Sequence, residues 1–292
     1  MFAYTDFIPN TAQNGGVVFA LSDRYGGFSQ PPYESLNLAF HTGDESAVVE
    51  RNIIHMLEAF RQLDSRCAQA QNLAYMTQIH STHCVVLGEN LCDDDLCGRG
   101  SADEQSMREI ESRDLTHSVR QGSGVAGNGI MNMGEADALL LTRKDKPAMV
   151  LVADCNPILF FDRTHNVAAL IHAGREGVFG RICSNALVRM SEYSDTRASD
   201  VYVFVGAGIR KCCYEVGDDV CAKLESKERE RYIQSREGRY FLDLESMLRA
   251  EFESLGIGEW EFLPKCSCCQ KEFFSYRRDG VTGRFGLVAM LV

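Results

Sequence analysis

Short apolar runs bounded by polar residues recur along the whole chain, and they restrict it to a fold with many buried strands. Val17–Leu21, Cys84–Leu87, Ala138–Leu141, Ala148–Val152, Ile158–Phe161, Val167–Ile171, Val201–Val205 and Phe285–Val292 are each too short for a buried helix and rich in β-formers. Between them lie helical patterns. Ser46–Arg61 repeats its apolar residues at Val48, Val49, Ile53, Met56, Leu57 and Phe60, close to a 3.6-residue period, and Gly177–Tyr193, Gly217–Ile233 and Leu244–Leu255 read the same way. Strands and helices that mix without strict βαβ alternation predict an α+β layered fold rather than a doubly wound sheet.

The chain has 292 residues and 45% hydrophobic content, enough for a real core and for one large domain. Residues 89–135 stand apart as a polar stretch rich in Asp, Glu, Ser, Arg and Gly, and read as a mobile surface insertion in a single domain over 1–292. Gly122, Gly124 and Gly127 inside it match a dinucleotide fingerprint in spacing, but no strand leads into them, so the match is read as chance. A net charge of −11 opposes broad attraction to phosphate backbones, which argues against nucleic acid as partner. No stretch nears the roughly 20 apolar residues that span a bilayer, and no signal segment is evident, so a cytoplasmic location is expected. The twelve cysteines are then expected to be free thiols rather than staples.

Candidate chemistry concentrates between Met149 and Gly180. Asp154 and Cys155 lie between a buried-looking run and Pro157, whose missing N–H marks a strand edge or a bend, and this exposes the Cys155 sulfur at a strand end. His172 follows Val167–Ile171 and precedes a helical pattern, where a ligand and an anion could meet. Upstream, strand alternation puts Gln78 and His80 on one face and His83 on the other, so one of these two histidines is expected to share a site with Cys155. Two histidines and a thiolate make a plausible zinc set with a fourth position open. Cys266, Cys268 and Cys269 read as C-x-C-C without paired knuckles and are taken as free thiols, as are Cys212-Cys213 and Cys92-x4-Cys97. Arg277, Arg278 and Arg284 offer planar forks matched to phosphate oxygens.

Several segments resemble a known family across nearly the whole chain. They are SDRYGGFSQPPYESLNLAFHTGDE, QIH, EADAL, ADCNP, IHAG, GAGIRKCCYEVGDDV, the stretch Leu242–Leu244, and CSCCQKEFFSYRRDGVTGR. The family is the laccase-domain proteins, also described as purine nucleoside phosphorylases and peptidoglycan editing factors. The resemblance implies one zinc per chain held by His80, Cys155 and His172, and a layered α/β/β/α single domain related to toxin-type cysteine hydrolases. It also implies phosphorolysis of adenosine, inosine, guanosine or methylthioadenosine, with deamination of adenosine. Arg175-Glu176 stands where the family has Trp-Arg, and Gly206-Ala207 where it has Gly-Pro. Within this reading Arg24, with Arg278 second, positions phosphate, Asn37 bonds the sugar or base, and Asp154 orients a metal ligand. The alternatives are a metal-free hydrolase with Cys155 as nucleophile and His172 or His80 as base, an amidase acting on muropeptide precursors, and a non-catalytic binding protein. Multicopper oxidation ranks last, because seven histidines scattered singly do not build several copper sites. The oligomeric state is left open.

Overall fold

The computed structural model describes residues 1–12, 15–87, 125–126 and 129–292. Among these, two mixed sheets stack face to face. One has seven strands in the order Phe2–Pro9, Gly16–Ser22, Phe285–Leu291, Ala148–Val152, Leu73–Thr77, Ile130–Glu135 and Val125–Ala126. The other has six, ordered Glu259–Phe262, Val201–Val205, Asn156–Asp162, Val167–Ala173, Ala138–Leu141 and Cys84–Val86. A small three-stranded sheet is built from Glu215–Val216, Arg239–Leu242 and Ile233–Arg236.

Alternation along the strands assigns the layers. Phe19, Leu21, Val150, Leu159, Phe161, Leu170, Phe204 and Leu287 point between the sheets and form the central core. Their neighbours Val18, Ala20, Met149, Leu151 and Val288 face outward, where Val49, Ile53, Met56 and Phe60 of the helix Ser46–Leu63 cover them. On the other side Phe160, Ala169, Ile171 and Val203 meet the helices Ile182–Ser194 and Leu244–Leu255. The result is a mixed α+β domain layered as helix, sheet, sheet, helix. Each fully buried Phe or Leu in these layers contributes about 1.5–3 kcal/mol relative to exposure.

All eight expected strands form, within two residues at either end. Two expected helices are broken. Gly177–Tyr193 divides into Arg175–Phe179 and Ile182–Ser194, because Arg181 adopts a left-handed φ of 58° between them. Gly217–Ile233 divides into Asp218–Cys221 and Ser226–Tyr232, and Ile233 already belongs to a strand. Pro157 does not mark an edge, but it follows a bend at 153–155 that leaves Cys155 at the strand's start, as expected. It is the second residue of an interior strand, which has partners on both sides. The expected insertion over 89–135, with its glycines and Cys92 and Cys97, lies mostly outside the described residues. Its last part belongs to the domain, since Ile130–Glu135 pairs in parallel with Leu73–Thr77. All ten cysteines among the described residues are free. No helix among them is long and apolar enough to cross a membrane.

Candidate active site

Three times the chain leaves the seven-stranded sheet and enters the six-stranded one, and each crossing delivers a functional side chain to the same end of the sandwich. The crossing from Leu73–Thr77 to Cys84–Val86 carries His80, that from Ile130–Glu135 to Ala138–Leu141 carries Asp137, and that from Ala148–Val152 to Asn156–Asp162 carries Cys155. His172 comes from within the strand Val167–Ala173, as its penultimate residue. The crossings are tight. His80 and Asp154 have φ of 60° and 98°, conformations that side chains adopt at a cost and that cluster at functional sites.

The side chains of His80, Cys155 and His172 converge, with all ligand atoms within 4.8 Å of one another. His80 Nε2 lies 3.8 Å from Cys155 Sγ, and the two imidazoles meet edge to face at 4.9 Å between centroids. His172 is buried, and its Nδ1 sits 2.7 Å from Asp137 Oδ1, which leaves Nε2 for the cluster. Gly174 is required here because a Cβ on it would lie 2.9 Å from Cys155 Sγ and 3.0 Å from His80 Cδ2.

Asp137 organises the centre. Its buried carboxylate accepts the backbone N–H groups of Ile79, His80 and Ser81, at 3.3, 3.1 and 2.6 Å, and the Ser81 hydroxyl at 2.7 Å. Burial raises its pKa, but the bonds from His172 and Ser81 outweigh that and hold it below the ordinary value. Burial likewise pushes the Cys155 thiol up, yet the imidazoles of His172 and His80 bring it down to about 6. Burial lowers His172, but the Cys155 thiolate and Asp137 raise it to about 9. Without metal, these opposite shifts favour a thiolate on Cys155 and an imidazolium on His172, anchored by a carboxylate.

The cluster opens into a cleft of about 410 Å³, within the range of small-molecule sites. Gln78 fixes one wall by bonding both the N–H and the carbonyl of Leu151, at 2.8 and 2.6 Å. Tyr214 and Tyr276 supply aromatic faces, and Arg277 and Arg284 supply charge. Neither arginine forms an ion pair among the described residues. Arg277 is held by the carbonyls of Cys213 and Glu215 and stacks over Tyr214 at 5.2 Å. Arg284 spends only Nη1, on the carbonyls of Thr282 and Gly283. His41 also lines the cleft, where burial and then Arg284 lower its pKa and keep it neutral.

Of the expected residues, the structure brings His80, Cys155 and His172 together, places Asp154 in the wall of the same cleft, and sets Arg24, Arg278 and Asn37 outside its lining. Asp154 lines the cleft without touching either histidine; its oxygens take Ser267 Oγ at 2.8 Å and Arg277 N at 2.7 Å, so the orienting carboxylate is Asp137. Arg24 lies off the cleft, bonded to the Glu34 carbonyl, 3.6 Å from Asp279 and stacked over Phe274. Arg278 is neutralised by Asp279 at 2.7 Å and donates to the carbonyls of Ser267, Cys268, Gln270 and Phe273. Asn37 is fully buried and bonded to Ala39, Thr42, Asp44 and the Arg284 N–H, which makes it a hub of its loop. Gln78 and His80 do share the cleft, though through a loop rather than strand alternation. The pair Arg175-Glu176 closes on itself at 2.8 Å and does not line the cleft. Sequence reasoning missed Asp137, the second acid in EADAL, whose only local signal was its place between two alanines.

These features define a class: a two-sheet α+β protein whose sheet crossings present a His-Cys-His donor set at the mouth of a basic, aromatic cleft. The chain belongs to the family described as multi-copper polyphenol oxidoreductase laccase, whose model matches residues 18–292. It is 29% identical over 272 residues to a purine nucleoside phosphorylase of Corynebacterium glutamicum, covering 93% of each chain. It is 27% identical over 271 residues to a purine nucleoside phosphorylase of Streptomyces coelicolor, covering 92% of this chain and 93% of the relative. Among solved structures, a Neisseria meningitidis protein of the DUF152 family superposes with a TM-score of 0.70 at 26% identity, over 98% of both chains. A Bacillus licheniformis protein at 22% identity shares the fold, with a TM-score of 0.73 over 98% of this chain and 99% of its own.

Proposed function

We propose that the chain is a zinc-dependent purine nucleoside phosphorylase acting on adenosine, inosine, guanosine and methylthioadenosine, with adenosine deamination as a second activity, in the cytoplasm. The observation that carries this reading is the pairing, in one cleft, of the His80-Cys155-His172 set with Arg277 and Arg284, two guanidinium groups without acidic partners. Relatives named purine nucleoside phosphorylase match over more than nine-tenths of the chain and support it.

The donor set fits zinc. Tetrahedral zinc, about 2.3 Å from sulfur and about 2.0–2.1 Å from nitrogen, puts neighbouring donors about 3.5 Å apart. The separation between His80 Nε2 and Cys155 Sγ is 3.8 Å. Three protein ligands facing a cleft leave a fourth position, from which zinc supplies Lewis-acid chemistry. The family's description names copper, but a histidine-rich set of the kind multicopper oxidation needs is absent among the described residues.

The side chains then have these tasks. Arg277 and Arg284 bind phosphate and hold an oxygen toward the anomeric carbon. Tyr214 and Tyr276 flank the purine. That oxygen forms the new bond to the anomeric carbon as the bond to the purine nitrogen breaks. The electron pair passes to the purine, and neutral His41 is placed to relay the proton it takes up.

One observation favours a second reading. Cys155, His172 and Asp137 are arranged as nucleophile, base and orienting carboxylate, as a metal-free cysteine hydrolase requires. Chromatographic analysis of adenosine and inosine incubated with and without phosphate separates the readings. Phosphate-dependent release of base, lost in His80→Ala and on chelation, supports the first. Turnover that survives chelators and is abolished by alkylation of Cys155 supports the second.

A further inference from the structure

The cysteines expected to be scattered free thiols are not scattered. Cys212, Cys213, Cys266 and Cys269 bring their four sulfurs within 4.8 Å of one another. Cys269 Sγ lies 3.5 Å from Cys212 Sγ and 3.3 Å from Cys213 Sγ. Tetrahedral coordination at a zinc–sulfur distance of about 2.3 Å sets sulfurs about 3.8 Å apart. Cys269 stands at nearly equal distance from two partners, as a corner of a cage does and as one half of a committed bridge does not.

Three further observations point the same way. Cys266 and Cys269 are separated by two residues, the C-x2-C spacing of a zinc knuckle, which is hidden in the sequence because Cys268 intervenes. Cys266 is buried, and its sulfur accepts the Arg210 backbone N–H at 3.4 Å, a bond that steadies a thiolate. Four thiolates around a divalent ion leave two negative charges, and guanidinium groups surround this cluster. Arg236 donates to the Cys212 carbonyl at 3.4 Å, Arg277 to that of Cys213 at 3.3 Å and Arg278 to that of Cys268 at 3.1 Å. Clustering for hydrophobic gain is a poor explanation, because Cys212 and Cys269 are exposed.

We propose that Cys212, Cys213, Cys266 and Cys269 form a second, structural site for a thiophilic divalent metal, zinc foremost. It joins two loops that otherwise meet through the isolated bridge between Gly208 and Cys266, the Ser267 N–H bond to the Gly208 carbonyl and the Arg210 N–H bond to Cys266 Sγ. Those loops carry the cleft wall. Ile209 and Tyr214 flank the first cysteine pair, and Ser267 holds Asp154, which in turn fixes the Arg277 backbone. A metal here acts on the cleft by positioning, with no contact to substrate. The proposal is independent of the nucleoside reading.

The test is elemental analysis of protein purified under reducing conditions, loaded with zinc and freed of loose metal. Wild type is expected to retain two zinc ions per chain. Cys269→Ser and His80→Ala are each expected to retain one, and the double variant none. In His80→Ala loaded with cobalt, intense thiolate-to-cobalt charge-transfer absorption is expected, and it should vanish when Cys269→Ser is added. A single ion in wild type with none in His80→Ala would overturn the proposal. So would a disulfide from Cys269 to Cys212 or Cys213 in peptide maps of the freshly purified wild-type protein. The wild-type and His80→Ala counts together decide the matter even if a cysteine variant fails to fold.

Discussion

Replacing Asp137 by Asn keeps the shape of the side chain and turns one of two acceptor oxygens into a donor. The native carboxylate receives five donors: the N–H groups of Ile79, His80 and Ser81, the Ser81 hydroxyl and His172 Nδ1. If the amide nitrogen faces Ser81, two backbone N–H groups lose their acceptor. If it faces His172, the imidazole can answer only by moving its proton to Nε2, the atom that must bind metal. In either pose at least one part-buried N–H is stranded, at up to about 1–3 kcal/mol, and charge-assisted bonds worth about 1.5–3 kcal/mol each are lost. Because such losses do not add fully, metal-free Asp137→Asn is expected to be about 3–5 kcal/mol less stable than wild type. Zinc affinity is expected to fall about 10–100-fold, the usual effect of removing a partner that orients a ligand. Urea unfolding of the metal-free protein and competition against a chromophoric chelator measure the two effects. Asp154→Asn is the control, since Asp154 bonds Ser267 and Arg277 but neither histidine. Stability of Asp137→Asn within about 0.5 kcal/mol of wild type with unchanged affinity, or an equal loss of affinity in Asp154→Asn, would refute the assignment.

Other expectations follow from the same geometry. In the metal-free protein the depressed Cys155 value predicts that alkylation of this residue rises through pH about 6, while burial keeps Cys183 inert; zinc should protect Cys155, and a rise only near 9 would contradict the thiolate. His172, raised to about 9, contributes stability to the metal-free fold that is fully present below its ordinary value of 6.5 and is lost as pH rises through about 9. Metal binding at pH 7.5 should therefore release about one proton, seen by calorimetry in buffers of different ionisation enthalpy. Gly174→Ala is expected to weaken zinc binding with little change in metal-free stability, because its backbone (φ −76°, ψ 177°) accepts alanine while its Cβ would crowd Cys155 and His80. Arg277→Gln or Arg284→Gln should raise the KM for phosphate about 10–100-fold, as expected for losing a charge-assisted contact of about 1.5–3 kcal/mol, with a smaller effect on the nucleoside. Arg24→Gln should leave that KM unchanged.

The core strands were legible because short apolar runs such as Ala148–Val152 and Val201–Val205 are buried on both faces and have no other stable use, whereas more polar strands such as Leu73–Thr77 and Ile130–Glu135 were not. The metal-ligand candidates were legible because a histidine or cysteine at the end of such a run has no place in a continuing core. Helix breaks were not legible: the apolar period runs smoothly across Gly180-Arg181, whereas the break is set by the backbone, where a Cβ on Gly180 would meet Thr82 Cγ2 at 2.6 Å. The choice among arginines was equally hidden. Arg277 and Arg278 are neighbours in sequence, and only the fold shows that Asp279 neutralises one while the other enters the cleft. Asp137 and the four-cysteine cluster depend on contacts between segments 35 to 58 residues apart, which local spacing does not carry.

The central claim is that this cleft transfers a pentosyl group to phosphate. Phosphorus NMR of inosine, phosphate and zinc-loaded protein follows the fate of the phosphate itself. The account predicts a pentose 1-phosphate resonance growing in step with hypoxanthine and absent with His80→Ala. Hypoxanthine released with free ribose and no loss of phosphate, or no base released by protein with its zinc bound, would contradict it.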